Sequence, residues 1–100
     1  MKELSRSDVF IKWLKKLTDR RAAARINTRI DRLAIGNPGD HRFLGDISEL
    51  RIDYSVGYRV YYIEFKKKII VLLCGGDKTT QQEDITKARK IAKQYEEELK

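Results

Sequence analysis

Apolar residues in the first third of the chain have helical spacing, whereas later ones alternate as in a strand. This change of period constrains the fold strongly, because it predicts helices followed by a sheet. Apolar residues recur at intervals of three and four in two segments, at Phe10, Trp13, Leu14 and Leu17, and at Ala22, Ala23, Ile26, Ile30 and Leu33. Ser7 or Asp8 can cap the first helix and Asp19 the second. Gly36 and the NPGD sequence at 37–40 end the second helix, which predicts a helical hairpin with one buried side.

From residue 47 the apolar residues alternate with polar ones, which predicts strands. Two alternating runs meet at a tight turn near Gly57, and the second spans roughly 57–65. The KKK sequence at 66–68 forms the next turn. The IIVLLC sequence at 69–74 is apolar at every position, as is typical of a strand covered on both faces, and GGDK at 75–78 ends it.

The last part of the chain predicts a helix that begins with a capping box at Thr79 or Thr80. Its apolar side is formed by Ile85, Ala88, Ala92, Tyr95 and Leu99. A short edge strand is also predicted at 2–5, so the order is β-α-α-β-β-β-α. We predict one α+β domain over residues 1–100, with two N-terminal helices on one face of a small antiparallel sheet and the other face only partly covered.

The charge of the chain indicates its partners. The 22 Lys and Arg residues outnumber the 15 Asp and Glu residues, and the net charge of +7 favours polyanions such as nucleic acid. Cys74 has no Cys or His neighbour at metal-ligand spacing, so we expect no metal, no cofactor and a reducing compartment. The longest apolar run is far too short to span a membrane, and the N-terminus lacks the apolar segment of a secretory signal. We expect a soluble cytoplasmic protein.

Two arginines interrupt the hairpin SELRIDYSVGYRVYYIEF at 48–65. A loop at 55–57 with Gly57 in the left-handed region would place Arg51 opposite Tyr61 and Asp53 opposite Arg59, all on one face. A two-residue loop would put the arginines on opposite faces. Two interpretations stay open: an exposed cross-strand charge pair of little energetic consequence, or the start of an anion site.

The GGDKTT sequence at 75–80 adds to the second interpretation. It supplies Lys78 and a helix N-terminus, and helix N-termini attract anions through free N–H groups. The spacing of a Walker loop is absent, so a nucleoside triphosphate site is not expected. Helix two also carries basic residues at helical spacing, which we interpret as a solvated face with a diffuse attraction for RNA: Arg21, Arg25, Arg29 and Arg32.

The blocks ELRIDY with GYRVYY and LLCGGDK with QQEDITKA, together with the helical hairpin before them, resemble the RelE/ParE toxin superfamily. More narrowly, they are similar to the HigB-like addiction module killer proteins of type II toxin–antitoxin systems. The resemblance runs over nearly the whole chain. It implies a microbial RNase-type fold, a small helix-turn-helix antitoxin as partner, and cleavage of messenger RNA at the ribosome without a metal.

The implied reaction assigns tasks to particular residues. The substrate 2′-OH attacks the adjacent phosphate, so the enzyme must stabilise extra charge on phosphate oxygens and transfer two protons. Arg59 matches the strand arginine that such toxins place at the catalytic phosphate, and Arg51 and Lys78 match further basic positions. The resemblance does not assign the residues that transfer the protons, and Asp84, His41 and Tyr61 are the candidates. Tyr61 could instead stack on a base. RNA-binding contacts are expected from Gly76, Thr79, Gln81 and Arg42.

Two other functions compete with the endonuclease. The ParE half of the superfamily inhibits DNA gyrase and cleaves nothing, and the basic residues here argue mildly against that function. A nucleic-acid-binding module that uses its sheet as a platform needs several exposed aromatic residues. Only Tyr61 and Phe65 are expected on the face of Arg59, which makes this function the weakest of the three.

Overall fold

The computed structural model describes residues 1–99, and within that range five strands and three helices form one α+β unit. In chain order the elements are β1 (Glu3–Arg6), α1 (Asp8–Lys16), α2 (Arg20–Ala34), β2 (His41–Phe43), β3 (Ser48–Ile52), β4 (Tyr58–Phe65), β5 (Ile69–Asp77), a 3₁₀ turn (Lys78–Thr80) and α3 (Gln81–Glu98).

The strands form a single sheet in the order β1-β5-β4-β3-β2. Strands β2 to β5 are antiparallel to their neighbours, which confirms the predicted antiparallel strands, whereas the predicted edge strand β1 runs parallel to β5. Strand β2 was not predicted, because its three residues are all exposed and show no alternation.

The two faces of the sheet are both covered. Helices α1 and α2 pack on one face, where Phe10, Ile26 and Ile30 meet Leu50 and Leu72. Helix α3 packs on the other face through Ile85, Ala88, Ile91 and Ala92, against a group that includes Tyr61, Val71 and Leu73. The second face stays open near the hairpin end of the sheet, so the prediction that it is only partly covered is confirmed. The prediction that β5 is covered on both faces is confirmed, because its side chains contribute to the apolar clusters on both sides of the sheet.

Two of the three predicted helix starts are confirmed. The Ser7 hydroxyl caps α1 by accepting from the Phe10 N–H, and Asp19 caps α2 by accepting from the N–H groups of Arg21 and Ala22. The third is confirmed in position only, since Thr80 is the N-cap residue of α3 but its side chain makes no capping hydrogen bond there. The capping box is formed instead by Asp77, on the 3₁₀ turn that precedes α3.

Strand β5 continues three residues further than predicted, to Asp77, and includes Gly75 and Gly76. Glycine is needed at position 76 because α3 crosses closely there: a Cβ on Gly76 would collide with the carboxylate of Asp84. Gly76 therefore allows α3 to approach the sheet, and Gly75 makes room for Trp13 of α1. Neither glycine breaks the strand.

Candidate active site

The β3–β4 hairpin places Arg51 directly opposite Arg59. The predicted pairs Arg51–Tyr61 and Asp53–Arg59 are wrong, because the loop runs over 53–57 and includes Ser55 as well as Gly57 at positive φ. The shift moves the register by two residues, and side chains on a strand alternate with a period of two. The two arginines therefore do share one face, as predicted.

Lys78 joins the two arginines at the hairpin end of the sheet. A cleft of about 350 Å³ is lined by Asp40, Arg51, Asp53, Ser55, Gly57, Arg59 and Lys78. Three basic side chains from β3, β4 and the 3₁₀ turn thus converge on one open depression. A cleft lined by basic groups focuses positive potential and raises the local concentration of anions.

Arg59 is partly buried, and its hydrogen bonds are local. Its Nη1 donates to the carbonyl oxygens of Gly57 and Tyr58, at 3.2 and 3.1 Å. Its Nε is buried and has no hydrogen-bond partner among residues 1–99. The two carbonyls occupy Nη1 and Nε is buried, so Nη2, which makes no hydrogen bond within residues 1–99, is the guanidinium nitrogen available to an anion in the cleft.

Arg51 is held from both sides. Its Nη2 lies 2.8 Å from Oδ1 of Asp40, and its carbonyl oxygen accepts from Nη1 of Arg29 at 2.7 Å. Nη2 of Arg29 also donates to the carbonyl oxygens of Pro38 and Asp40, so Arg29 fastens α2 to the rim of the cleft rather than forming part of a solvated face. The Arg51–Asp40 pair is exposed, and such pairs contribute only about 0–1 kcal/mol. A phosphate can therefore compete for Arg51.

Lys78 lies across the hairpin loop. Its backbone N–H donates to the carbonyl oxygen of Gly57 at 3.0 Å, and a Cβ on Gly57 would lie only 2.8 Å from its Cδ. Gly57 also has φ +77°, a region that favours glycine. The glycine predicted to shape the turn therefore also makes room for the lysine.

Three further candidate residues lie between the end of β5 and the first turn of α3, and each contacts other residues of this segment. Asp84 is buried, and its Oδ2 accepts from the Thr80 hydroxyl at 2.6 Å. Gly76 is buried under Asp84 and so does not face the cleft as an RNA-binding residue. The exposed Thr79 hydroxyl donates to Asp77 at 2.5 Å. The Thr79 hydrogen bond lowers the pKa of Asp77 below its usual value of 3.8.

Tyr61 cannot stack on a base, because it has no exposed surface and lies in the core beneath α3. Burial raises the pKa of its hydroxyl, and the nearby Glu49 carboxylate raises it further. The hydroxyl therefore stays protonated. Tyr61 lies two residues after Arg59 on β4, so strand alternation predicted its face correctly but not its burial.

His41 and Arg42 lie on opposite sides of the edge strand β2. His41 pairs with Leu50, which faces α1 and α2, and it lines a separate cleft with Leu33, Phe43 and Tyr62. It is therefore not brought to the cleft of Arg51 and Arg59. Arg42 pairs with Glu49 on the α3 face, and its Nη2 lies 3.8 Å from Glu49 Oε1.

Glu49 is the residue of this region that the sequence analysis missed. Its side chain is fully buried, and its Oε2 accepts from Nε2 of Gln81 at 2.7 Å. Gln81 therefore uses its amide nitrogen to bind Glu49 rather than to contact a ligand. The alternation of β3 already placed Glu49 on the face of Arg51, but only the position of α3 shows that this face is closed above it.

The described part of the chain shows neither a metal-binding cluster nor a membrane-spanning helix. No cluster of three or more His, Cys, Asp or Glu side chains has the arrangement of a metal site in residues 1–99. None of the described helices is both long and apolar enough to cross a membrane.

Comparison with known proteins places the chain in a family. A family model described as phage-derived protein Gp49-like (DUF891) matches residues 12–96. An uncharacterized protein of Haemophilus influenzae is 50% identical over 86 residues, which cover 85% of this chain and 87% of that protein.

A solved structure of a mutant of the E. coli toxin RelE in the free state has the same fold. The TM-score is 0.71, with 17% sequence identity, over 89% of this chain and 95% of that one. This confirms the predicted RelE-like α+β fold. The chain therefore belongs to the phage-derived Gp49-like family (DUF891) and has the fold of RelE.

Proposed function

We propose that this protein is a toxin of the RelE superfamily with a cognate antitoxin, and that it is a metal-independent messenger-RNA endonuclease of the HigB-like branch that acts in the cytoplasm at the ribosome. The observation that supports this most is the convergence of Arg51, Arg59 and Lys78 on one open cleft. Three cations around one depression suit a phosphate that gains negative charge during reaction. The proposed antitoxin is a small helix-turn-helix protein that covers this cleft.

In the proposed reaction the ribose 2′-oxygen attacks phosphorus and the bond from phosphorus to the 5′-oxygen breaks. The products are a 2′,3′-cyclic phosphate and a 5′-hydroxyl. Arg59 donates to a non-bridging oxygen of the phosphorane through Nη2, because Nη1 bonds the carbonyl oxygens of Gly57 and Tyr58 and Nε is buried in the free protein. Lys78 adds a point charge at the same phosphate, and Arg51 leaves Asp40 to bind a neighbouring phosphate.

The proton acceptor in this proposal is an acidic residue that lines the cleft, Asp40 or Asp53. Asp84 is buried and bonded to Thr80, which keeps it away from the 2′-OH. Asp40→Asn and Asp53→Asn separate the two candidates. The variant that loses cleavage about 10²-fold or more while still binding uncleavable 2′-O-methyl RNA identifies the base.

The test of the function is transcript mapping after a short induction in living cells. Cleavage within translated messages by the wild-type protein, lost in Arg59→Ala, is the expected result. Arg21→Ala is the matched control, because it removes an exposed arginine of α2 that does not line the cleft. Intact transcripts together with DNA breaks would instead support inhibition of gyrase.

A further inference from the structure

The unpaired polar atoms of the interior are concentrated beneath the cleft. Three buried side-chain atoms make no hydrogen bond of ordinary geometry within residues 1–99: Oε1 of Glu49, Nε of Arg59 and the hydroxyl of Tyr61, which nevertheless lies beside the Glu49 carboxylate. Glu49 and Tyr61 are opposite each other on β3 and β4, one step along the same face from the Arg51–Arg59 pair. That step is about 7 Å along a strand. Buried polar groups are seldom left unpaired, so three together require an explanation.

The Glu49 carboxylate connects several elements at this point. Its Oε2 accepts from Gln81 of α3, its Oε1 lies 3.8 Å from Nη2 of Arg42 on β2, and Tyr61 of β4 lies opposite. Burying a carboxylate is costly, and an apolar residue would fill this place at less cost. Stability of the core therefore does not account for Glu49.

The contact with Gln81 fixes the segment that carries Lys78. Gln81 is the first residue of α3 and follows the turn Lys78–Thr80 directly. The turn is held at its start by the hydrogen bond from Lys78 N–H to Gly57 and at its end by the bond from Gln81 to Glu49. Both anchors lie on the β3–β4 hairpin, which also carries Arg59. The position of Lys78 relative to Arg59 thus depends on both.

We infer that Glu49 is a positioning residue that holds the first turn of α3 through Gln81, so that Lys78 and Arg59 reach the same phosphate. This inference rests on the proposed endonuclease function. It assigns Glu49 and Gln81 no contact with RNA. Small displacements of catalytic groups lower rates strongly, so loss of the Glu49–Gln81 bond reduces the rate of the chemical step rather than the affinity for RNA.

The test compares Gln81→Met with Gln82→Met. Both changes remove one amide from the first turn of α3, and methionine favours helices, but Gln82 is exposed and makes no side-chain bond to the sheet among the described residues. We expect Gln81→Met to lower kcat about 10-fold to 100-fold with KM changed less than about 3-fold, whereas Gln82→Met stays within about 2-fold of wild type. The double variant Glu49→Gln with Gln81→Glu re-forms the bond with its partners exchanged and is expected to restore kcat to within about 5-fold.

A second readout does not require cleavage. Amide hydrogen exchange at Lys78, measured by NMR on the intact protein, is expected to be about 10-fold faster or more in Gln81→Met and unchanged in Gln82→Met. This exchange result tests the positioning even if the wild-type protein cleaves no RNA, which would overturn only the proposed function. Wild-type kcat together with wild-type exchange at Lys78 in Gln81→Met would overturn the inference, as would a failure of the exchanged pair to restore kcat.

Discussion

The two faces of the sheet differ in composition although the same strands supply both. On the face toward α1 and α2 the buried cluster is apolar, and its strand residues include Leu50, Val60 and Leu72. The face toward α3 includes the buried acids Glu49 and Asp84 beside its apolar residues, and it ends in the pair Arg51–Arg59. Like charges directly across two strands are destabilising.

The difference between the two faces indicates which substitutions should change stability and which should change activity. The α1–α2 face carries the larger apolar cluster, so substitutions there act on folding. The α3 face is closed only as far as the first turn of α3, and beyond it the cleft of Arg51, Arg59 and Lys78 is open. Substitutions near that boundary should change activity more than stability.

The largest effect on stability is expected from truncation on the α1–α2 face. Leu72→Ala removes a fully buried side chain and should lower the free energy of unfolding by about 2–5 kcal/mol. Urea unfolding measures this change, and Ile35→Ala, at an apolar residue that is 66% exposed, is the control. At low temperature the folded Leu72→Ala protein should cleave RNA at close to the wild-type rate. A tenfold loss of rate in fully folded protein would contradict the division between the faces.

A smaller effect, shared between stability and activity, is expected at the hairpin loop. Gly57→Ala places a side chain at positive φ and against the stem of Lys78. The backbone change should cost about 1–3 kcal/mol in unfolding free energy. The displaced lysine should lower kcat about 10-fold beyond what unfolding explains. A variant that loses stability but keeps wild-type kcat would show that the position of Lys78 does not matter.

Asp77 gives a pH-dependent prediction of about 1 kcal/mol. Asp77→Ala removes the cap of the 3₁₀ turn and should destabilise by about that amount at neutral pH. The pKa of Asp77 is lowered in the folded state, so its contribution is present above the unfolded value of 3.8 and disappears as pH falls below it. Denaturation measured from pH 7 to pH 2.5 should therefore show the two proteins converging at acid pH. A constant difference would contradict a charge-dependent cap.

The smallest effect is expected at His41. This histidine pairs with Leu50 on the α1–α2 side and lines a different cleft, so His41→Ala should cleave RNA within about 2-fold of wild type. The single-turnover cleavage rate is the measurement. A loss of about 10²-fold would return His41 to the candidate catalytic residues.

The sequence predicted the features that follow from local periodicity. The caps Ser7 and Asp19 and the shared face of the two arginines are confirmed, because each depends on spacing along one or two segments. The register was wrong because Ser55 takes a positive φ that a sequence favours only for glycine. The burial of Tyr61 was not predicted, because it depends on where α3 packs on the sheet.

The candidate site was predictable in outline only. Arg51, Arg59 and Lys78 do line one cleft, but their roles in catalysis remain predictions. Glu49 and Arg29 could not be distinguished from surface charges, since their partners are 32 and 22 residues away in sequence. Contacts at that separation are determined by tertiary packing rather than by local pattern.

The most direct test of the proposed cleft is the single-turnover cleavage rate of ribosome-bound messenger RNA by purified wild type, Arg59→Ala and Arg21→Ala. Arg59→Ala should cleave about 10²–10³-fold more slowly with a thermal midpoint close to wild type, because one donor to the developing phosphate charge is lost. Arg21→Ala should stay within about 2-fold. A folded Arg59→Ala protein that cleaves at the wild-type rate would contradict the assignment of this cleft as the active site.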